Sequence, residues 1–441
     1  MIKRFIRRVL GLASEQMERV PREKHGLSRD ALSPAAAKVC AVLREAGFSA
    51  FVVGGAVRDL LLGIVPKDFD VATDARPEQI KPLFRRAIII GRRFRLVHVM
   101  MGADTVEVST FRAADPNTAE KDEHGRVLRD NVFGTQAEDA RRRDFTVNAL
   151  YFDAATEEVV EFHGGLADLK KRVLRVIGDP ATRFREDPVR MLRAVRLAAK
   201  LGLTLDPTMR EPLRELAPLM DRVPPARLFD EMLKLLLSGH ASACLRQLRE
   251  VGLHKGLLPL LDVILEQPLG ERFVTLALAQ TDERVLAERP VSPAFLFAAL
   301  LWHEVLAAWK ARESRGERSI PALENAMDEV LDTQCAKLAI TRKLTATMRE
   351  VWGMQPRLEL RSGQRPYRVL EAPRFRMAYD FLALRAASGE VPADLEAWWR
   401  AFQTADAESR KAMLLPETGP RKRRRRRRRK KQPSAPAAAS A

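Results

Sequence analysis

The chain has 441 residues, 46% hydrophobic and 30% charged, a globular composition with room for about three domains at roughly 150 residues each. Its cysteines, Cys40, Cys244 and Cys335, lie far apart, which excludes a disulfide framework and a cysteine-cluster zinc site and fits a reducing compartment. The formal net charge is +18, and the run RKRRRRRRRKK at 421–431 supplies 11 of those charges, leaving +7 on residues 1–420; a mildly basic body with a strongly basic end points to nucleic acid or another anionic surface.

The chain opens with MIKRFIRRVLGLA, which lacks the apolar core of a signal peptide. Ile2, Phe5, Ile6, Val9 and Leu10 share one helical face, flanked by Lys3, Arg4, Arg7 and Arg8. That pattern serves equally a helix docked on the body and a peripheral contact of residues 1–13 with a membrane or partner. No run of about 18 apolar residues follows anywhere, so no membrane-spanning helix is expected.

From residue 35 the pattern is mixed. A helix over Ala36–Ala46 leads to a strand, Phe51–Val53, then Gly54-Gly55 and a helix over Ala56–Leu62. Strand-like runs recur at Phe69–Thr73, Ala87–Ile90, Leu96–Met101, Val106–Thr110 and Val147–Phe152. The polar stretch between Ala113 and Ala137 is long for a connection and reads as a functional or mobile loop. After about residue 180 only helical periodicity remains, to about residue 415. The segment 421–441 is low-complexity and is expected to be disordered by self-repulsion.

Chemistry concentrates in the mixed region. Strand, Gly-Gly, helix is a phosphate-holding layout, because glycines admit close backbone approach and a helix start offers free N–H groups. Arg58, in the first turn of that helix, adds a donor for phosphate oxygens. Asp68 and Asp70 stand two apart at the start of a strand, so both carboxylates are expected on one face. Such a pair repels itself unless a cation neutralises it. Hard oxygen ligands suit Mg²⁺, and paired metals suit phosphoryl transfer. Glu107, in the alternating strand VEVST, is a third candidate carboxylate. Asp144 follows Arg141, Arg142 and Arg143 just before another strand.

These motifs together resemble a known family. GGAVRDLLLG followed by DFD, VEVSTFR, RRDFTVNALYFD and REDPVRMLRAVRLAAKLGL are similar to the head and neck motifs of class II nucleotidyltransferases, the family of bacterial poly(A) polymerases and CCA-adding tRNA nucleotidyltransferases. GRRFRLVHVM, PPARLFDEMLKLLLSG and the basic tail resemble the poly(A) polymerase branch. The resemblance covers about residues 50–240 and is looser beyond 250. It implies an α+β nucleotidyltransferase head, a small five-stranded mixed sheet with helices, followed by an all-α neck, body and tail region. The divisions expected are an appendage over 1–33, the catalytic head over 34–178, the neck over 179–245, the body and tail over 246–418 and the basic tail over 419–441.

The resemblance further implies that Asp68 and Asp70 bind two Mg²⁺, with Glu107 a further candidate ligand. It places Asp144 in the catalytic set, and Gly54, Gly55, Arg58 and Arg143 against the nucleotide. In the neck, Asp187-Pro188 reads as a helix N-cap followed by proline at the first helical position. Asp187 and Arg190 then share a face. A carboxylate that accepts beside a guanidinium that donates matches adenine or cytosine, and mispairs with guanine or uracil at roughly 1–3 kcal/mol per contact. Arg193, one turn on, reaches phosphate or base.

The activity implied is template-independent addition of AMP from ATP to RNA 3′ ends. CCA addition and non-catalytic RNA binding are the alternatives. ATP, RNA 3′ ends and RNA-decay proteins are the expected partners, in the cytoplasm. No histidine precedes an aspartate, and His303-Glu304 lacks a second histidine four residues on, so neither common histidine metal motif is present. The five tryptophans, Trp302, Trp309, Trp352, Trp398 and Trp399, all lie in the helical half and read as core rather than base-stacking platforms.

The basic run gives a prediction. Binding that neutralises Z phosphates of a single strand has a log–log salt slope of about −0.7Z. Truncation after Pro420 should weaken RNA affinity at low salt and flatten the slope by about 3 to 4, if half of the run engages at once. Turnover at saturating RNA should change little. Salt titrations of full-length and truncated protein check this, and superimposable slopes would leave the run only a solubility role.

Overall fold

The computed structural model describes residues 17–91, 95–113, 120–121, 127–129, 132–254 and 268–416. The N-terminal segment 1–13, most of the polar stretch 114–131 and the basic run 421–431 lie outside the described residues. Two compact units divide between Met348 and Arg349.

The first unit holds an eight-stranded mixed sheet. Its strands are β1 (Glu18–Val20), β2 (Ala50–Val53), β3 (Asp70–Thr73), β4 (Ala87–Ile90), β5 (Leu96–Met101), β6 (Asp104–Thr110), β7 (Leu150–Asp153) and β8 (Glu158–Glu161). The spatial order is β1-β8-β7-β2-β3-β6-β5-β4. All neighbours are antiparallel except β3 and β6, which run parallel. β2, AFVV, is buried at every position, as expected of a central strand covered on both faces. β6 alternates, with Val106, Val108 and Thr110 buried and Glu107 and Ser109 on the other face. The helix α1 (Pro34–Glu45) is capped by Ser33, which accepts from the Ala36 N–H at 3.1 Å, and buries Ala36, Val39, Cys40 and Leu43. The helix α2 (Gly55–Leu61) follows β2 directly.

Two expectations are corrected here. The resemblance implies five strands and the sheet has eight: all six strand-like runs of the sequence take part, and the short ERV and EVVE segments add β1 and β8 beyond β7. The strand expected from Val147 begins only at Leu150, because Thr146–Asn148 form a 3₁₀ turn. The Asp144 carboxylate takes the Phe145 N–H at 2.8 Å and the Asn148 amide at 2.9 Å, which curls the chain before it can extend.

Beyond the sheet the chain is mostly helical. After α3 (Gln136–Arg142) come α4 (Pro180–Glu186), α5 (Val189–Leu201), α6 (Pro225–Leu236), α7 (Ala241–Glu250), α8 (Pro268–Leu286), α9 (Pro293–Ser314) and α10 (Ser319–Lys337). α5 packs against α6 and α7, and α9 against α8 and α10. α9 is the one described helix long and apolar enough, by length and composition, to cross a membrane. Leu296, Phe297, Leu300, Leu301, Trp302 and Val305 along it are buried within the protein. The helix α11 (Arg342–Leu358) leads into the second unit. There α12 (Phe375–Ser388) and α13 (Ala393–Thr404) close a core of Met354, Leu358, Phe375, Tyr379, Trp399 and Phe402. Trp302, Trp352 and Trp399 are fully buried, Trp309 is nearly so, and Trp398 stacks on Phe402 at 4.5 Å. They are core residues.

Candidate active site

The parallel pairing of β3 with β6 sets Asp70 directly opposite Glu107. Neighbours in register point to the same face, so two carboxylates meet at the end of the sheet. The Asp70 side chain opens into a pocket, yet its surroundings displace enough water to disfavour charge. Burial, then Glu107 and Asp68, push its carboxyl up to about 6, and Arg143 opposes them. Asp68 precedes the strand instead of belonging to it. Alternation therefore does not orient it, and it lies exposed in a neighbouring groove with Lys67, Phe69 and Thr105. Its charge still reaches Asp70.

Asp70 lines a pocket of about 340 Å³ together with Gly54, Gly55, Arg58, Arg142, Arg143, Asp144, Asn148, Asp187, Arg190 and Arg193. Residues from 54 to 193 thus converge on one cavity. Gly54 has φ +77° and ψ −129°, and a Cβ there would stand 3.3 Å from the Arg143 guanidinium. Both the turn and the close approach require glycine. Arg58 is buried rather than free for a ligand: Asp59 takes its Nε and Nη2 at 2.8 and 2.6 Å, and Asn148 its Nη1 at 2.6 Å.

Arg143 is held just as firmly. Its Nε and Nη2 donate to Asp139 at 3.2 and 3.0 Å, and its guanidinium lies over the Tyr151 ring, 5.2 Å from the centroid. The Tyr151 hydroxyl donates to the same Asp139 oxygen at 2.7 Å. The remaining Nη1 points toward the Gly54 turn, donating to the Asn148 carbonyl at 3.3 Å. Asp144 pairs not with the adjacent arginines but with Arg193 on α5, at 2.8 Å. Burial works against its charge, but Arg193, Asn148 and the Phe145 N–H outweigh it and hold the carboxyl below its usual range. Asp144 is thus an anchor for Arg193.

The neck half departs from the sequence expectation. α4 runs to Glu186, Asp187 is extended with φ −148°, and α5 begins after Pro188 without a side-chain cap. Pro188 is nonetheless helical and the Asp187 carbonyl accepts the Arg190 N–H at 3.0 Å, so Asp187 holds the N-cap position by its backbone while its side chain caps no N–H. Its two oxygens accept from Arg227 of α6 at 3.1 and 3.0 Å. Arg190 does not meet Asp187 either, and donates to Glu186 at 2.9 Å and to the Arg183 carbonyl at 2.8 Å. Arg183 in turn donates to the backbone carbonyls of Arg142 and Arg143 at 2.9 and 2.6 Å, tying α4 to the end of α3.

Sequence reasoning missed this supporting layer of Asp59, Asp139, Asn148, Tyr151, Arg183, Arg227 and Glu231. Asn148 and Tyr151 lie inside RRDFTVNALYFD, and Arg227 and Glu231 inside PPARLFDEMLKLLLSG. The motifs were visible, but which side chains pair across them depends on the fold.

Among the described residues no three His, Cys, Asp or Glu side chains come close enough to hold a metal alone. Burial, and then the negative charge of Glu107 and Asp68, nevertheless raise the Asp70 carboxyl. That suits Mg²⁺, which takes one or two carboxylates and completes its shell with water and phosphate.

Family comparisons match this geometry. Residues 50–175 match the poly A polymerase head domain, residues 202–265 the probable RNA and SrmB- binding site of polymerase A, and residues 315–432 the polymerase A arginine-rich C-terminus. The chain is 46% identical to poly(A) polymerase I of Escherichia coli O6:H1 over 93% of its length and 92% of that protein. It is 44% identical to poly(A) polymerase I of Haemophilus influenzae over 93% and 91%. It is also similar to the solved CCA-adding enzyme of Bacillus stearothermophilus in complex with CTP, at 26% identity and a TM-score of 0.57, over 84% of this chain and 82% of that one.

Two outcomes follow from the site. Gly54→Ala places a Cβ at positive φ, costing about 1–2 kcal/mol, and displaces Arg143. Thermal unfolding should register the first, and a raised KM for the triphosphate the second. Asp70 binds a proton more readily than an ordinary carboxylate, so divalent-cation affinity should fall as pH drops through about 6. Glu107→Gln removes one source of the upward shift and should move that midpoint down, as Mg²⁺ titration calorimetry at several pH values would register.

Proposed function

This chain belongs to the bacterial poly(A) polymerase family, and from that premise we propose the roles of its residues. It is a template-independent poly(A) polymerase, a nucleotidyltransferase that adds AMP from ATP to RNA 3′ ends and releases pyrophosphate. The observation that carries this reading is identity of 43–46% to poly(A) polymerases I along more than nine-tenths of the chain. A CCA-adding relative, from Bacillus licheniformis, reaches 36% over only 52% of it.

The pocket around Gly54 receives the triphosphate. The Gly54-Gly55 backbone lets phosphates approach closely, and Arg143 presents Nη1 to them, already oriented by Asp139 and Tyr151. Arg58, held by Asp59, adds fixed positive charge beside Gly55. Asp68 and Asp70 are the residues that would hold Mg²⁺, with Glu107 a further candidate. When bound, two Mg²⁺ would lower the pKa of the primer 3′-hydroxyl and stabilise the leaving pyrophosphate. In the reaction the primer 3′-oxygen bonds to the α-phosphorus, the bond to the β-phosphate oxygen breaks, and the hydroxyl proton leaves.

The base lies toward α4 and α5. Asp187 accepts from the adenine amine and Arg190 donates to the adjacent ring nitrogen, which selects A or C over G and U. Arg193, fixed by Asp144, supports that edge of the pocket. Residues 34–178 serve as catalytic head and 179–245 as neck, with the helices of 246–418 and the tail 419–441 meeting RNA. Cysteines outside any disulfide at Cys40, Cys244 and Cys335 and the need for ATP support a cytoplasmic site of action. RNA-decay proteins are candidate partners.

The test supplies each nucleotide in turn to a labelled RNA ending in A and to a tRNA lacking CCA. Long tails with ATP alone are expected on the first; addition limited to CTP and then ATP on the tRNA would overturn the poly(A) branch. Asp70→Asn should leave circular dichroism unchanged and abolish ATP incorporation. Wild-type tailing by the folded variant would sink the assignment of Asp70.

A further inference from the structure

Three strand pairings line up one row of side chains across the sheet. Asp70 of β3 stands opposite Glu107 of β6, Glu107 opposite His98 of β5, and His98 opposite Ile88 of β4. Residues directly opposite share a face, so the row runs from the acidic zone across His98 to the edge of the sheet. The alternate positions of β5, Val97 and Val99, are fully buried on the other face. His98 is half-buried, and Ile88 is 54% exposed. Among the described residues no hydrogen bond or ion pair holds the His98 ring. β4 ends the sheet with the uncharged sequence AIII, where edge strands commonly carry charges that keep other chains away.

The triphosphate and the primer must meet from opposite sides. In phosphoryl transfer the attacking and leaving oxygens are roughly in line across the phosphorus. The pocket around Gly54 and Arg143 lies where β2 ends, on one flank of β3. The primer 3′-oxygen therefore comes from the other flank, where β6, β5 and β4 follow in order. Neighbouring strands are about 4.8 Å apart, which sets His98 about 10 Å from β3. A terminal nucleotide whose 3′-oxygen reaches Asp70 thus lays its sugar over Glu107 and its base over His98 and Ile88.

Resting on the reading of the Gly54 pocket as the triphosphate site, we propose that His98 and Ile88 form a ledge on which the 3′-terminal base of the RNA stacks, presenting the primer end to the α-phosphorus. An imidazole face beside a branched aliphatic side chain attracts any base through its π-face and reads none of its hydrogen-bonding edge. Such a ledge serves a primer whose last base changes from the one first met to adenine. His98 binds the primer in this scheme, and no proton transfer is assigned to it.

The test is steady-state tailing by the full chain on two short labelled oligoadenylates, one ending in an ordinary nucleotide and one in an abasic ribose that keeps its 3′-hydroxyl. His98→Ala should raise KM for the ordinary RNA about tenfold, as expected for one lost stacking contact. KM for ATP should stay within about twofold. On the abasic RNA the variant and the wild type should behave alike, because the base that feels the substitution is gone. His98→Phe, which keeps a ring, should restore most of the loss, and His98→Gln, which keeps only hydrogen bonding, should not. Ile88→Glu, at an exposed edge position, should weaken use of the ordinary RNA as well. An equal loss on both RNAs would place His98 against the RNA backbone or give it only a structural role, and would overturn the proposal. Failure of His98→Phe to restore, or a rise in KM for ATP alone, would overturn it too. Equilibrium binding of the same RNAs without nucleotide reads the ledge apart from catalysis. The wild type should prefer the ordinary RNA and His98→Ala should erase that preference; a preference that survives in the variant sinks the ledge. If Gly54→Ala leaves KM for ATP unchanged, the triphosphate reading fails, while the binding comparison still decides the role of His98.

Discussion

The ion pair between Asp144 and Arg193, 2.8 Å long, joins the two halves of the pocket, and the rest of the site depends on it. Asp144 leaves the sheet-bearing half just after α3, and Arg193 stands on α5 among the helices. Asp144 is nearly buried and Arg193 is partly exposed, so parting them would cost less than the about 3–5 kcal/mol of a fully buried pair. Glu231 from α6 approaches the same guanidinium at 3.9 Å. Arg183 adds two bonds to backbone carbonyls of 142 and 143. The two sides of the cavity are therefore joined by charged and polar contacts.

Much of this was legible in the sequence, for reasons that differ by element. The strands at Phe51–Val53, Ala87–Ile90 and Leu96–Met101 carry hydrophobic patterns that depend only on near neighbours. Gly54 was marked by its doublet, and the fold gives the reason: positive φ and an arginine 3.3 Å from where a Cβ would stand. Asp68 was misread, because spacing of two implies a common face only inside a strand, and the strand starts at Asp70. Asp187 departs only in its side chain. Asp-Pro before an amphipathic run does place Asp187 at the N-cap by its backbone, but Arg227, 40 residues on, takes the carboxylate. Local rules cannot anticipate a partner that distant.

The supporting carboxylates have a common logic. Arg58, Arg143, Arg190 and Arg193 all line one small cavity, and their guanidinium groups repel one another when no substrate is present. Asp59, Asp139, Glu186 and Asp144 each hold one of them. The cavity is thereby neutralised without surrendering its donors, since a guanidinium has five N–H groups and a carboxylate engages only some. Asp70 stands apart from this scheme. Its carboxyl is pushed up to about 6 by burial first and then by the acids Glu107 and Asp68, and Arg143 only partly offsets them.

That asymmetry separates the pocket into two electrostatic zones. On one side, arginines are fixed in place by acids, so little reorganisation of them would be required on binding a phosphate group. On the other, carboxylates gather without enough positive charge of their own, which is an unfavourable arrangement in the isolated chain. Folding tolerates it because the crowding is confined to the end of β3, where Asp70 opens onto the cavity while Val71, Ala72 and Thr73 are buried behind it. A cation arriving with its phosphates would relieve the acidic zone and neutralise the substrate in the same event. With the roles proposed for Asp68, Asp70 and the arginines, the two zones would favour a cation and a nucleotide together over either alone.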